Sequence, residues 1–318
     1  MKKLIFTDNI GFDMNDWVNQ PIKKVFAGTG CIMAITEDGR TLQKTMDPNC
    51  AAAVKYWTRI KDISLSACAT GLAIGLVSDG TCLIAKKPAR RMLNIREGYE
   101  HIPFETVNET IKSWNHIVQV EASDAFFAVT DEGRVCYAPL SRYGIDEYRE
   151  VLYWENIRRI SVGLCDSIIG ITNDGHMRCA GANLTHGPHG DLTKRLAAYD
   201  DIIDVCMSGS ECESIVIAHR NGTVEDMSRS GPSVAVHRDG TVERRNDGRF
   251  PISVSDGSEK VLRSHFGYYY YILNSERHLF VSECGIDFDP VFADNPVIDS
   301  FAVGANGKPF VIAVTESI

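Results

Sequence analysis

The sequence is built from copies of one short unit, and this internal repetition limits the fold more than any other feature. The clearest copy occupies residues 156–182. Its apolar pair Ile157 and Ile160 predicts a first strand, residues 167–172 form a second β-branched run, and the turn at residues 173–175 leads into a third strand. One three-stranded meander cannot bury both of its faces alone. The fold therefore needs several copies side by side.

Four kinds of residue recur at corresponding positions in the copies and align them in one register. Each copy starts at an Ile or Val that usually has an apolar partner three positions on: Ile22, Ile60, Ile117, Ile157, Ile202, Val261 and Ile298. A small residue stands six positions after each start: Gly28, Ser66, Ser123, Gly163, Ser208, Gly267 and Gly304. A glycine turn follows in the first five copies: Asp38-Gly39, Asp79-Gly80, Glu132-Gly133, Asp174-Gly175 and Asn221-Gly222. An aromatic residue stands three positions before the start in four copies: Trp57, Trp114, Trp154 and Tyr199.

This pattern, W-x2-I-x2-[IV]-x2-[GS] followed by D-G, resembles the repeat of the regulator of chromosome condensation family. That family includes a bacterial propeller that inhibits β-lactamases. The resemblance covers essentially the whole chain and implies an all-β fold, a β-propeller of seven blades. The chain departs from the family pattern in two ways. Most copies lack the histidine that often follows the Gly or Ser, and the W-G-x-N after the third strand survives only as residues 180–183.

The chain ends are predicted to share one blade. The last copy has a first strand at residues 298–303 and a second at residues 310–315, and its third strand is missing. Residues 3–7 form a strand without a first and second strand before it, and this strand completes the blade. We therefore expect a single domain over residues 1–318. An extra hairpin near residues 231–247 belongs to the fifth blade, or is an eighth blade.

Charge narrows the classes of partner. The net charge is −9 and the sequence pI is about 5.5. This charge opposes binding to nucleic acid or to an anionic membrane and favours a neutral or basic protein partner. No apolar run reaches the roughly 18 residues that a membrane span needs, and the start of the chain lacks a signal-peptide pattern. We expect a cytoplasmic monomer whose ten cysteines are reduced and mostly buried.

Several short motifs contain some, but not all, of the residues that a phosphate, zinc or calcium site requires. The basic run at residues 86–91 is interpreted as a solvated loop in an acidic protein, and a phosphate contact is the alternative. His186 and His189 lack the further ligands that zinc requires, and Asp287 with Asp289 lacks the spaced oxygens of a calcium loop. No phosphate loop or nucleophile motif occurs. We therefore predict no cofactor, no metal and no catalytic residues.

The leading hypothesis is a protein-binding propeller. A lyase or hydrolase that uses the channel or a loop face is the alternative, and a regulator of a small GTPase, as the resemblance suggests, is a third. The long, variable loops follow the first and third strands of the copies, so a partner with a basic surface is expected on that face. The candidate partner-binding residues are aromatic or acidic: Asp124, Phe126, Tyr143, Tyr148, Asp166, Glu211, Tyr268 and Phe288. The aromatic residues could instead pack the loops.

Overall fold

The structure is a computed structural model of the chain. It describes residues 2–66, 72–85, 102–140, 148–163, 167–181, 184, 192–208, 214–220, 223–226, 233–236, 242–245, 251–253, 260–263, 270–273, 276–282, 289–305 and 309–315. None of the helices in this part of the chain has both the length and the apolar character needed to cross a membrane.

Short strands dominate the described residues. The first eleven are β1 (Lys3–Phe6), β2 (Ile22–Gly28), β3 (Cys31–Thr36), β4 (Thr41–Thr45), β5 (Ile60–Leu65), β6 (Ala73–Val77), β7 (Cys82–Ile84), β8 (Ile117–Ala122), β9 (Ala125–Thr130), β10 (Val135–Pro139) and β11 (Ile157–Val162). The next eight are β12 (Ile168–Thr172), β13 (Met177–Ala180), β14 (Ile202–Ser208), β15 (Ser214–His219), β16 (Thr223–Asp226), β17 (Ser233–Val236), β18 (Val242–Arg245) and β19 (Pro251–Ser253). The last six are β20 (Lys260–Arg263), β21 (Tyr270–Leu273), β22 (Leu279–Ser282), β23 (Asp289–Pro290), β24 (Ile298–Ala305) and β25 (Pro309–Thr315).

Short helices connect some of the sheets. They are α1 (Pro48–Val54), α2 (Phe104–Lys112), α3 (Leu192–Leu196) and two 3-10 turns, Asp8–Ile10 and Arg149–Tyr153.

The strands form small, separate sheets. Within the described residues these are β1-β25-β24, β2-β3-β4, β5-β6-β7, β8-β9-β10, β11-β12-β13, β14-β15-β16-β19, β20-β21-β22-β23 and the two-stranded β17-β18. Six of the seven predicted starts begin a strand, and Val261 is the second residue of β20. The predicted repeat is therefore the structural repeat.

A β-bulge explains the three-residue spacing of the apolar starts. In β2, Ile22 pairs with Thr36 but Lys24 pairs with Ile35, so Lys23 is an extra residue. The same shift occurs in β5, β8 and β14. Residues three apart on a regular strand face opposite sides, but one extra residue returns both to the same side. Ile22 and Val25 are accordingly both 3% exposed.

The glycine turns join one repeat to the next. Gly39, Gly80, Gly133 and Gly175 all have positive φ, and each carbonyl accepts a hydrogen bond from the amide that starts the next repeat. The four distances are 3.1 Å to Ile60, 3.0 Å to Ile117, 2.9 Å to Ile157 and 3.0 Å to Ile202. A side chain on Gly39 would also meet the Arg59 backbone at 3.2 Å. Conformation and space both require glycine here. The turn at residues 221–222 lies outside the described residues.

The sixth repeat makes the same connection without glycine. Arg277 adopts φ 63°, and its carbonyl accepts from the Ile298 amide at 2.8 Å. Its side chain reinforces the turn, since Nε donates to the Ile298 carbonyl at 2.8 Å and a terminal nitrogen donates to the Asp299 carbonyl at 2.6 Å. The sequence pattern missed this turn because arginine replaces glycine.

The aromatic residue before each start lies at the end of the segment that connects one sheet to the next. The Trp57 amide donates to the Val54 carbonyl at 3.0 Å, and the same contact recurs in three further repeats: Trp114 to Ile111 at 3.0 Å, Trp154 to Val151 at 3.1 Å and Tyr199 to Leu196 at 3.2 Å. The three tryptophans are buried. Each therefore ends a helical segment and inserts a ring into the core.

The small residue at the end of each first strand allows neighbouring repeats to approach closely. A Cβ on Gly28 would lie 3.1 Å from the Leu65 Cβ, and one on Gly304 would lie 2.9 Å from the Ala27 Cβ. Where serine replaces glycine, the hydroxyl makes the contact: the Ser66 Oγ donates to the Ser123 carbonyl at 2.9 Å. A small residue at this position is therefore compatible with the close approach of the two repeats.

The N- and C-terminal strands share a sheet, as predicted. β1 pairs with β25 in antiparallel register, from Lys3 opposite Thr315 to Phe6 opposite Ile312. Leu4 is 5% exposed and packs in a core that includes Phe310. Both strands are thereby held by backbone pairing and by apolar contact.

The predicted extra hairpin is present as β17 and β18, which pair only with each other in the described sheets. After it the chain returns as β19, which pairs with β16 of the fifth repeat. This return is the arrangement expected of a hairpin inserted within one blade. The number of blades remains a prediction.

The residues divide into two compact units: Met1–Ile160 with Ser300–Ile318, and Ser161–Asp299. Among the described residues, the first contains three apolar clusters, around Phe126, Leu4 and Trp57. The described residues of the second form one cluster, around Ile217. The buried cysteines Cys31, Cys50 and Cys82 belong to the first unit.

Candidate functional site

Three of the eight predicted partner-binding residues lie in the described part of the chain: Asp124, Phe126 and Tyr148. The other five lie outside the described residues: Tyr143, Asp166, Glu211, Tyr268 and Phe288.

Phe126 is a core residue, and its prediction as a partner contact is wrong. The side chain is 0% exposed and packs in a cluster with Trp114 and Val120. The reason lies in the sheet, because β9 is the middle strand and five of its six residues are buried. Alternation of exposed and buried positions, typical of a one-sided sheet, does not apply to such a strand.

Tyr148 is also buried, at 2% exposure, and its prediction as a contact residue is likewise wrong. Its ring centroid lies 5.3 Å from Phe127 in an edge-to-face arrangement and 5.4 Å from Tyr137. These three rings form an aromatic cluster that stabilises the third repeat, and the Tyr148 ring is buried within it.

Asp124 occupies a turn that is held in place by its neighbours. It lies between β8 and β9 and is half-buried. The Ser123 amide donates to the Ala125 carbonyl at 2.9 Å, and the Ser66 hydroxyl of the preceding repeat donates to the Ser123 carbonyl at 2.9 Å. The turn is therefore fixed from within and from the side, which lowers the entropy that a contact at this position would cost.

A second feature is a set of polar side chains along the first strands of the first compact unit. They stand two positions after each start: Lys24, Asp62, Gln119, Arg159 and Ser300. Lys24 Nζ lies 3.5 Å from Asp62 Oδ1, but both side chains are about one-third or more exposed, so this pair contributes little stability. The Gln119 amide makes a two-point contact with the Ile160 backbone, donating to its carbonyl at 2.8 Å and accepting from its N–H at 2.9 Å.

Glu121 lies at the centre of this polar set. Its carboxylate accepts from the Ser64 hydroxyl at 3.1 Å and from the Gln119 amide nitrogen at 3.0 Å. The Ser64 hydroxyl in turn accepts from the Ala122 amide at 2.9 Å. Loss of hydration raises the pKa of Glu121 to about 7, and the charge of Arg159 and the two hydrogen bonds offset this only in part. The surroundings of Glu121 therefore disfavour the ionised form of its carboxyl group.

Sequence reasoning missed this polar set, although aligning the repeats gives a signal. The position four after each start is Phe26, Ser64, Glu121, Ser161 and Cys206 in the first five repeats, so Glu121 is the one carboxylate among them. A glutamate on a strand that packs against neighbouring repeats is uncommon and marks a position with a special environment. What the sequence alone does not give is the convergence of Ser64, Gln119 and Arg159 on it.

A metal site receives no support from the described residues, where no group of three His, Cys, Asp or Glu side chains is arranged to hold an ion. His186, His189 and Asp287 lie outside the described residues.

The comparisons with known proteins support the fold. No protein-family profile and no curated protein sequence match the chain. Human WBSCR16 is similar in structure, with a TM-score of 0.60 and 12% identity, over 94% of this chain and 88% of that one. Prp20p from Saccharomyces cerevisiae, a protein described with its binding properties to Gsp1p and histones, has a TM-score of 0.60 and 11% identity over 92% of this chain and 82% of that one.

The same yeast protein, described as yeast RCC1 and bound to Kap60, gives a TM-score of 0.58 at 10% identity over 92% of this chain and 80% of that one. At sequence identities this low, the structural similarity shows a shared fold but not a shared function. Together with the small antiparallel sheets and the terminal strands that share one of them, these similarities show that the chain has a β-propeller fold.

Proposed function

We propose that this protein is a non-enzymatic, cytoplasmic binding propeller that engages a protein with a basic surface through the loops after the first and third strands of its repeats. One observation carries this proposal. The glycine turns after the second strands have a structural role. The carbonyls of Gly39, Gly80 and Gly133 each accept a hydrogen bond from the next repeat. The loops at the other end of each sheet differ in length and chemistry from repeat to repeat.

The charge of the protein supports a basic partner. A net charge of −9 attracts a positive surface and speeds its encounter, and carboxylates on fixed turns orient it. Among the acidic candidate contact residues, Asp124 is the one whose turn lies in the described part of the chain. The proposal therefore keeps Asp124 with Tyr143 as contacts from the third repeat. It keeps Asp166, Glu211, Tyr268 and Phe288 as contacts from later repeats, and it drops the buried Phe126 and Tyr148.

The first prediction compares the loop end of the third repeat with its turn end. Tagged full-length protein captures its partner from native lysate, and the partner is then titrated against purified variants. We expect the double change Asp124→Asn with Tyr143→Ala to weaken binding by about 1–4 kcal/mol, because a rigid aromatic ring and an orienting carboxylate are removed.

The matched control lies in the same repeat but at the opposite end of its sheet. Arg134→Ala removes an exposed side chain at the glycine turn and is expected to leave affinity unchanged. Binding of wild-type protein is also expected to weaken as salt rises from about 0.05 to about 0.3 M, since the attraction is between exposed charges. Stronger loss with the Arg134 variant than with the loop variant contradicts the proposal.

A further inference from the structure

Two buried cysteines of the first repeat lie side by side. Cys31 begins β3, and Cys50 lies in α1. Both belong to the apolar cluster around Trp57, and their exposed fractions are 2% and 0%. Their side chains hydrogen-bond to each other. The structure therefore brings together two thiols that are 19 positions apart in the sequence.

The backbone around these cysteines fixes their contact. Cys31 pairs with Thr45 at the end of β4. The Thr45 hydroxyl accepts a hydrogen bond from the Asp47 amide at 3.1 Å. The Asp47 carboxylate, which caps α1, accepts in turn from the Cys50 amide at 3.0 Å. A paired strand and a capped helix thus hold Cys50 against Cys31.

The two thiols differ in acidity. The Cys50 thiol and the Thr45 hydroxyl hydrogen-bond to the Cys31 sulfur and lower the pKa of Cys31, although burial and the charge of Asp47 oppose this. The pKa of Cys50 is raised, first by its hydrogen bond to Cys31 and then by burial. Because the thiolate is the nucleophilic form of cysteine, Cys31 is the nucleophile of the pair and Cys50 keeps its proton.

We propose that Cys31 and Cys50 are a redox-sensitive pair, which hydrogen peroxide converts into a disulfide between β3 and α1. The Cys31 thiolate first attacks a peroxide oxygen. The O–O bond breaks, a sulfenic acid forms on Cys31, and the departing hydroxide takes up the proton that Cys31 released, giving water. The Cys50 sulfur then attacks the Cys31 sulfur, the S–O bond breaks, and the hydroxyl leaves as water with the Cys50 proton. Two thiols are oxidised by two electrons, and one peroxide is reduced to two waters.

The oxidant reaches the pair when α1 opens. This helix has only seven residues, and Pro48, Asn49 and Ala52 on it are exposed. A helix this short depends on packing for its stability, so it opens more readily than the sheet that it covers. A peroxide is close to water in size and needs only a small opening. The closed helix keeps the pair reduced at rest, in agreement with the expected reduced state of the cysteines.

Peroxide treatment of the native, full-length protein tests the pair. After catalase quenching and blocking with N-ethylmaleimide, digestion without reductant and mass spectrometry are expected to find Cys31 linked to Cys50, with release of the link by dithiothreitol. Cys82 and Cys136 are the matched control, because their charges interact and burial raises the pKa of both thiols. Their link is expected to form at least about tenfold more slowly. Equal rates for the two pairs, or recovery of Cys31 and Cys50 as blocked thiols, overturns the proposal.

Two variants test the roles of the two sulfur atoms. Cys50→Ser keeps a hydroxyl that can donate to Cys31 but cannot form a disulfide. The sulfenic acid is therefore expected to persist on Cys31 and to react with dimedone. Cys31→Ser is the reciprocal control and is expected to leave Cys50 unlabelled. Labelling of Cys50 in place of Cys31 contradicts the assigned roles. If the serine variants do not fold, the linked peptide from the wild-type protein decides.

Discussion

Deleting residues 2–6 is expected to abolish cooperative unfolding or to lower the melting temperature by about 10 °C, with aggregation. The deletion removes β1, whose Leu4 is buried against β25 and its neighbours. Burial of a leucine contributes about 1.5–3 kcal/mol. The deletion also leaves β25, a strand with six of its seven residues buried, with an open edge that can pair with another chain.

Thermal melting followed by circular dichroism, with light scattering recorded in parallel, measures this effect. Lys2→Ala is the control, because the ion pair of Lys2 with Glu37 is at least one-third exposed and contributes little stability, so this variant should melt like the wild type. A deletion variant that melts within about 2 °C of the full-length protein would show that β1 does not stabilise the sheet.

Gly75→Val is expected to destabilise the protein by about 3 kcal/mol. Gly75 lies in the middle of β6, where the indole of Trp57 lies against the strand. A Cβ at this position would approach Trp57 Cζ3 to 2.8 Å. Trp57 is 5% exposed and enclosed by its own cluster, so the ring cannot move without disturbing the second repeat.

Chemical denaturation of Gly75→Val beside Ala52→Val checks this value. Ala52 is exposed on α1, so the two methyl groups that this change adds meet solvent and cost only a few tenths of a kcal/mol in helix propensity. Equal stability of the two variants would mean that Trp57 does not cover Gly75.

The repeat could be predicted because each of its sequence features reflects a local structural requirement. An apolar start, a small residue six positions later and a glycine turn each have a local physical cause, and the bulge, the close approach at Gly28 and the positive φ of Gly39 supply those causes. The sheet shared by the two chain ends could be predicted because the last copy lacks a third strand and residues 3–7 supply one. The turn at Arg277 escaped prediction because a hydrogen-bonded arginine can hold the backbone that glycine usually adopts.

The candidate site was less predictable, and the reason is burial. Phe126 stands near a loop in the sequence, but it belongs to the middle strand of its sheet, where five of six residues are buried. Tyr148 similarly follows a loop and then turns inward onto Phe127. Glu121 depends on contacts from two other repeats, which no local pattern contains. Sequence signals thus located strands well and side-chain accessibility poorly.

Amide hydrogen exchange of the intact protein tests most directly whether β1 and β25 are adjacent strands of one sheet. We expect the amides of β1 to be protected to within about tenfold of those of β25, because both strands open together when their sheet opens. Exchange of β1 at the rate of an unstructured terminus, with β25 still protected, would contradict the pairing of Leu4 with Val314.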